Sequence, residues 1–223
     1  MGITERKERE KEQRREEIIA AAQKVFFEKG LQLATMDEIA EAAELSKGTL
    51  YLYYKSKEDL YLSVIMRGAE IMYEFFEKAT ATNEPVLKLI SNLGDSYFEF
   101  FQKNRQYFRM LYFRDNPQLH KQVSQEVLQV CLEQDRRIWK LVIDLIQRAI
   151  DEGYLQKNIK PVQAAVILWS SSTALMQQID RNDNYWQEQM GVNLEETLRL
   201  SNSLLLEAMM TDKGKLEYRS MVI

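Results

Sequence analysis

The chain has 223 residues, of which 45% are hydrophobic and 29% charged, so it can bury a substantial core. Its 8 glycines and 3 prolines are few for a β-rich or loop-rich protein, and no apolar run approaches the roughly 18 residues that span a bilayer. A single cysteine, Cys131, excludes an internal disulfide and fits a reducing cytoplasm, while the charged stretch 1–17 excludes a secretory signal.

The distribution of charge matters more than the net charge of -4, which by itself argues against a nucleic-acid partner. Residues 1–57 contain 11 basic and 11 acidic residues, so the negative charge belongs to the rest of the chain. A neutral module can bind a polyanion if its cations collect on one face. Lys47, Lys55 and Lys57 lie within eleven residues of one another and are candidates for such a face.

The first elements in chain order are a charged arm and three short-range helix signals. The arm, residues 1–15, is expected to be frayed or helical and to be solvated. An amphipathic helix follows and stops at Gly30. Thr35 and Glu38 form a capping box for a second, short helix, and the turn Glu44–Ser46 ends in a serine that can cap a third. The apolar positions that define the first helix are Ile18, Ile19, Ala22, Val25 and Phe26.

The rest of the chain is also predicted to be helical, which gives an all-α fold of about nine helices. Ser56 caps a long helix that ends near Ala79. Neither a strand pattern nor a repeat of fixed period is visible. The later helices are predicted from Pro85 to a break near Asn104, from Tyr107 to Phe113, from Asn116-Pro117 toward Gly153, from Pro161 through Met176, and from about Leu194 through Ala208, with a loose tail at 220–223.

The second and third helices fit a helix-turn-helix, in which the exposed face of the later helix enters a groove roughly 12 Å wide. Leu45 and Leu50 are predicted to face inward with Ile39 and Ala43. Gly48 lowers helix stability, and its lack of a side chain permits a close backbone approach to DNA. The residues predicted to face outward are Lys47, Gly48, Thr49 and Tyr51.

These residues resemble the TetR/AcrR family of bacterial transcriptional regulators, continuously from about Ile18 to Leu60. The resemblance is carried by Ile18-Ile19-x-Ala21-Ala22-x-x-x-Phe26, Thr35-x-x-x-Ile39-Ala40-x-x-Ala43, Ser46-x-Gly48-Thr49-Leu50-Tyr51-x-Tyr53-Tyr54 and Ser56-Lys57-x-x-Leu60. Tyr54 stands where the family more often has phenylalanine, and it is expected in the core. The resemblance implies that Thr35, Tyr51, Tyr53 and Lys57 bind phosphates, while Lys47, Gly48 and Thr49, after the capping Ser46, approach bases. Lys55 is equally compatible with a solvated charge and a phosphate contact.

The resemblance also implies two domains, a helix-turn-helix DNA-binding domain over 1–57 and an effector-binding and dimerisation domain over 58–223. The small residues 170–174 allow two helices to approach closely. Members of the family pair their last two long helices across a two-fold axis. Together with this habit, the small residues predict a homodimer through about 161–179 and 194–210. Such an isologous dimer places two recognition helices on a pseudo-palindromic DNA operator. The expected location is the cytoplasm, without membrane contact.

Aromatic residues concentrate in the segment 97–113, and they suggest a small, largely hydrophobic or aromatic effector. Ordinary core packing is the better explanation for any one of them considered singly, and only the group as a whole suggests an effector site. Arg105 or Arg109 could anchor a polar group. The predicted ligand-binding residues are Tyr97, Phe101, Phe108, Tyr112, Trp139, Trp169 and Met176.

The resemblance and the aromatic segment together predict a ligand-responsive repressor that the effector releases from its operator, and two other classes of function are the alternatives. An enzyme is disfavoured because His120 is the single histidine and no phosphate-binding glycine loop or Cys/His cluster is present, so no catalytic residue, metal or cofactor is predicted. A helical protein-interaction module, or a regulator without ligand response, remains the alternative. The intact segment 46–57 argues against lost DNA binding, and repressor versus activator behaviour stays open.

Overall fold

The computed structural model describes residues 2–113, 117–181 and 185–222. Within these ranges the chain forms twelve helices and no strand; the one isolated β-bridge joins Leu155 to Met210. The all-α prediction is therefore confirmed. The helices are α1 Ile3–Leu33, α2 Met36–Ala42, α3 Lys47–Tyr53, α4 Lys57–Thr80, α5 Val86–Lys103, α6 Arg105–Phe113, α7 Pro117–His120, α8 Gln125–Asp151, α9 Pro161–Asp180, α10 Tyr185–Met190, α11 Leu194–Met209 and α12 Asp212–Val222.

Three differences account for twelve helices where about nine were expected. The helix predicted from Pro117 toward Gly153 is divided into α7 and α8, because the amide of Ser124 donates to the buried carboxylate of Asp59 at 2.7 Å instead of continuing a helical ladder. The short α10 had no clear apolar period. The helix α12 replaces most of the expected loose tail.

Contacts divide the chain into two compact units, Met1–Glu70 with Gln106–Asp135 and Ile71–Arg105 with Arg136–Ile223. This division is by packing and runs through α4, α8 and the first residue of α6. The expected functional boundary after residue 57 rests on the family resemblance and stays a prediction.

In the first unit, α1, α2 and α3 pack together over apolar residues that are shielded from solvent. Gly30 has φ 68°, which ends the regular part of α1 as expected. The rings of Phe26 and Tyr61 meet edge to face, with their centroids 5.0 Å apart. The buried residues of these helices include Ile18, Ala22, Phe26, Ile39, Ala40 and Leu50.

In the second unit, α5, α8, α9, α11 and α12 contribute to one apolar core. Serines bring α9 and α11 together, since the Ser171 and Ser201 hydroxyls lie 2.9 Å apart and Ser172 donates to Asn202 at 2.8 Å. The small residues of α9 thus allow close packing within the chain. None of the helices in the described ranges is long and apolar enough to cross a membrane.

Candidate nucleic-acid interface

The start of α2 is fixed by the capping box that the sequence predicts. The Glu38 amide donates to the Thr35 hydroxyl at 3.3 Å, and the Thr35 amide donates to the Glu38 carboxylate at 3.0 Å. Lys29 also donates to Glu38 at 2.6 Å, and this contact is the largest cause of the lowered pKa of Glu38. Thr35 is exposed, so its position beside the helix start is open to an outside partner.

The turn between α2 and α3 closes with two backbone hydrogen bonds. The Leu45 amide donates to the Ala40 carbonyl at 2.9 Å, and the Glu44 amide donates to the Glu41 carbonyl at 3.0 Å. This pattern is a Schellman motif, which requires a left-handed residue after the helix. Glu44 supplies it with φ 55° and is the one non-glycine residue with positive φ in the described ranges.

The helix α3 presents one buried side and one open side. Ser46 caps it by accepting the Thr49 amide at 3.1 Å, while Leu50 is fully buried and Leu45 is half-buried. Tyr54 is buried as expected, and this burial raises the pKa of its phenol to about 12. Among the predicted DNA contacts, Lys47, Gly48 and Tyr51 are exposed, and Thr49 and Tyr53 are half-buried.

Within the ranges that the structure describes, Gly48 has no structural reason to be glycine. Its φ is not positive, and a Cβ built there would meet only the Ser46 hydroxyl, at 3.8 Å. Glycine inside a helix costs about 1 kcal/mol relative to alanine. The open space above Gly48 leaves room for the close approach of another molecule's backbone or groove wall.

Lysines around α3 are held by neighbouring acceptors of the same unit. Lys47 reaches both carboxylate oxygens of Asp37, at 2.8 and 3.0 Å, and the hydrogen bond to Asp37 raises the pKa of Lys47. Lys55 pairs with Glu126 at 2.9 Å, which raises the pKa of Lys55. These pairs are exposed, so each contributes little to stability and its lysine remains available to compete for phosphate.

Lys57 ties the start of α4 to the segment before α2. Its ammonium donates to the Ala34 carbonyl at 2.9 Å, which places it close to the residue that precedes Thr35. The Ser56 hydroxyl accepts the Asp59 amide at 3.0 Å, so the predicted cap of α4 is confirmed. The predicted residues thus fall at the starts of α2, α3 and α4, except Tyr51 and Tyr53, which lie in the later part of α3. Sequence reasoning missed Asp37 as the partner of Lys47 and left out the exposed Leu52.

The predicted ligand residues divide between the two units. In the second unit, Tyr97 stacks on Trp169 with centroids 4.5 Å apart, and Trp139 meets Trp169 edge to face at 5.8 Å. Phe101 and Met176 are fully buried there. Phe108 belongs to the first unit, and the side chain of Tyr112 lies outside the described residues. Arg105, a proposed anchor, contacts the Phe101 ring and lies 3.9 Å from Asp180.

Comparison with known proteins assigns the helix-turn-helix. The family model for bacterial regulatory proteins of the tetR family matches residues 18–64. The transcriptional activator FasR of Mycolicibacterium smegmatis is 28% identical over 167 residues, 74% of this chain and 72% of the relative. The transcriptional repressor KstR2 of Mycobacterium tuberculosis is 23% identical over 147 residues, 66% of this chain and 71% of the relative.

Solved structures agree on the fold along most of the chain. The fatty acid degradation regulator FadR from Bacillus halodurans has a TM-score of 0.64 at 19% identity and covers 86% of this chain and 94% of that chain. The ketosteroid transcriptional regulator KstR2 of Mycobacterium tuberculosis has a TM-score of 0.61 at 17% identity, covering 89% and 96%. The relatives are transcriptional regulators and include both an activator and a repressor. Residues 18–64 thus match the DNA-binding domain of the tetR family, the chain is similar over most of its length to TetR-family regulators, and it is a DNA-binding transcriptional regulator.

Proposed function

We propose that the protein is a repressor that binds a pseudo-palindromic operator as a homodimer and leaves it when a small apolar effector binds. The observation that supports the DNA-binding geometry is the open face of α3, where Gly48 leaves a gap that no other described residue fills. Lys47, Gly48 and Thr49 at the start of α3 then approach bases. Thr35, Tyr51, Tyr53 and Lys57 hold phosphates and set the register.

The dimer is supported by apolar side chains that the protomer leaves in solvent on α9 and α11. On α9, Val162, Val166 and Ile167 are about half exposed, and on α11 Leu200 and Leu204 are 57% and 58% exposed. Exposed apolar patches of this kind mark interaction sites. Because the serines of α9 already face α11 of the same chain, the outer faces of the two helices remain for a second copy.

The proposed effector site lies around Trp139 and Trp169 in the second unit. Trp139 and Trp169 are both half-buried, and the Tyr97 hydroxyl lies 2.9 Å from that of Thr173. Aromatic surface with a few polar groups suits an apolar ligand. Two structural neighbours are named for fatty acid degradation and ketosteroids, so long-chain acyl compounds and steroids are the first probes.

The experiment begins with selection of operator DNA from a random duplex library by the purified chain. We expect an enriched inverted repeat, bound by two protomers, with an affinity that falls linearly on a log-log plot as salt rises. Acyl thioesters and ketosteroids are then added to the preformed complex, and one class should release the DNA. A selection that enriches no sequence contradicts the DNA-binding proposal. Release by neither class, with tryptophan fluorescence unchanged, contradicts the effector proposal.

A further inference from the structure

Leu52, in the last turn of α3, is the most exposed large apolar residue in the described part of the chain. It exposes 83% of its surface, whereas Leu50, two residues earlier, exposes none. Residues two apart are separated by about 200° around an α-helix. Leu52 therefore points away from the core, at the centre of the open side of α3.

The surroundings of Leu52 make it the prominent group on this face. Gly48 lies one turn earlier on the same side and has no side chain, so no group projects from that half of the face as far as Leu52 does. Thr49 and Tyr51 lie on either side of Leu52 around the helix and can serve as hydrogen-bond donors. Single exposed leucines are common on protein surfaces, but this one lies at the middle of a face that meets DNA in the proposed function.

We propose that Leu52 reads the C5-methyl group of a thymine in each operator half-site. The inference rests on the proposed placement of α3 in the major groove. Base edges there present hydrogen-bond donors and acceptors, and one apolar group, the thymine methyl. A leucine side chain forms no hydrogen bonds, so it gains affinity by covering that methyl and loses affinity where a cytosine replaces the thymine.

The test replaces thymine by deoxyuridine, which removes the methyl and keeps every hydrogen-bonding group. Each thymine of the selected operator is substituted in turn, and binding is measured for the full-length wild-type chain. At one position per half-site we expect a loss of about 4-fold, and about 15-fold when both half-sites are changed. The scan uses the unaltered protein, so it does not depend on the folding of a variant.

Two variants assign the effect to Leu52. Leu52→Ala should bind the thymine operator more weakly and should no longer distinguish thymine from deoxyuridine at that position. Because Leu52 is exposed, the thermal unfolding of the Leu52→Ala variant should match that of the wild type. Tyr51→Phe, which removes a neighbouring hydroxyl, is the matched control and should weaken both operators by the same factor.

The possible failures are distinguishable. An enriched operator with no thymine sensitive to deoxyuridine in the wild type overturns the inference and leaves the proposed function standing. A sensitive thymine that stays equally sensitive in Leu52→Ala also overturns it, because another residue then reads the methyl. If selection enriches no sequence, the proposed function fails and this inference fails with it.

Discussion

At the scale of single residues, the turn of the helix-turn-helix holds a non-glycine residue in a backbone conformation that favours glycine. Glu44 has φ 55°, a left-handed conformation that costs an L-residue with a Cβ about 1–2 kcal/mol and costs glycine almost nothing. The Schellman bonds of Leu45 and Glu44 hold it there. The position is exposed, so its side chain has no packing role that would explain the strain.

Glu44→Gly is therefore expected to stabilise the protein. Glycine also gains freedom in the unfolded chain, so the net gain should be about 1 kcal/mol or less in the free energy of unfolding. Urea denaturation followed by circular dichroism measures it. The control is Glu41→Gly, an exposed position inside α2, where the same replacement should destabilise by about 1 kcal/mol. Equal losses for both variants would show that Glu44 is unstrained.

Local signals explain why this part of the site could be predicted. The capping box of Thr35, the cap at Ser46 and the burial of Leu50 depend on residues within four positions of each other, and sequence spacing reports such relations. The left-handed Glu44 could not be predicted in the same way, because the residue type at that position disfavours the conformation it adopts. Tertiary packing of α2 against α3 overrides the preference.

At the scale of elements, the contact of α4 with α6 depends on a missing side chain. A Cβ at Gly68 would lie 2.5 Å from Cδ1 of Tyr107. The same tyrosine donates its hydroxyl to Gln23 of α1 at 2.7 Å and meets the Phe27 ring edge to face at 5.1 Å. Tyr107 thus joins three helices of the first unit, and it cannot retreat without losing contacts with α1.

Gly68→Ala is expected to destabilise the protein by about 1–2 kcal/mol net, since the added methyl overpacks this contact at a cost of about 2–3 kcal/mol. This cost exceeds the gain of up to about 1 kcal/mol that alanine brings to a helix interior. Gly48→Ala is the matched control: its new methyl enters open space, so the free energy of unfolding should stay equal or rise. Both are measured by urea denaturation. An unchanged midpoint for Gly68→Ala would contradict the close contact.

Elements that depend on distant partners were the ones that sequence spacing missed. The break before α8 comes from the Asp59 carboxylate, 65 residues away from the Ser124 amide that it accepts. The helix α12 packs closely because Gly214 lies against the Tyr154 carbonyl, where a Cβ would come within 2.2 Å. Neither of these distant partners, Asp59 or Tyr154, can be recognised in the sequence from a hydrophobic period or a capping residue. The helices with long amphipathic stripes, such as α5, can be predicted without knowing which distant residues they contact.

At the scale of the whole molecule, the proposed function depends on two protomers acting together. An inverted repeat is read by two recognition helices only if the subunits are related by a two-fold axis. In an isologous interface each residue occurs twice, so one substitution alters two contacts. The outer face of α11 carries Leu200 and Leu204, and both remain more than half exposed in a single protomer.

Leu204→Glu is expected to separate the dimer, because the interface would have to bury two carboxylates without partners, a cost of several kcal/mol. Sedimentation equilibrium should report a monomer, and affinity for the inverted repeat should fall toward that for a single half-site. The protomer should remain folded, since Leu204 is 58% exposed within it. Leu216→Glu on α12, where the leucine is 72% exposed, introduces the same charge outside the proposed interface and should leave the dimer intact. A Leu204→Glu protein that sediments as a dimer would place the two-fold contact elsewhere, and the spacing of the two α3 helices would then have to be set by another surface.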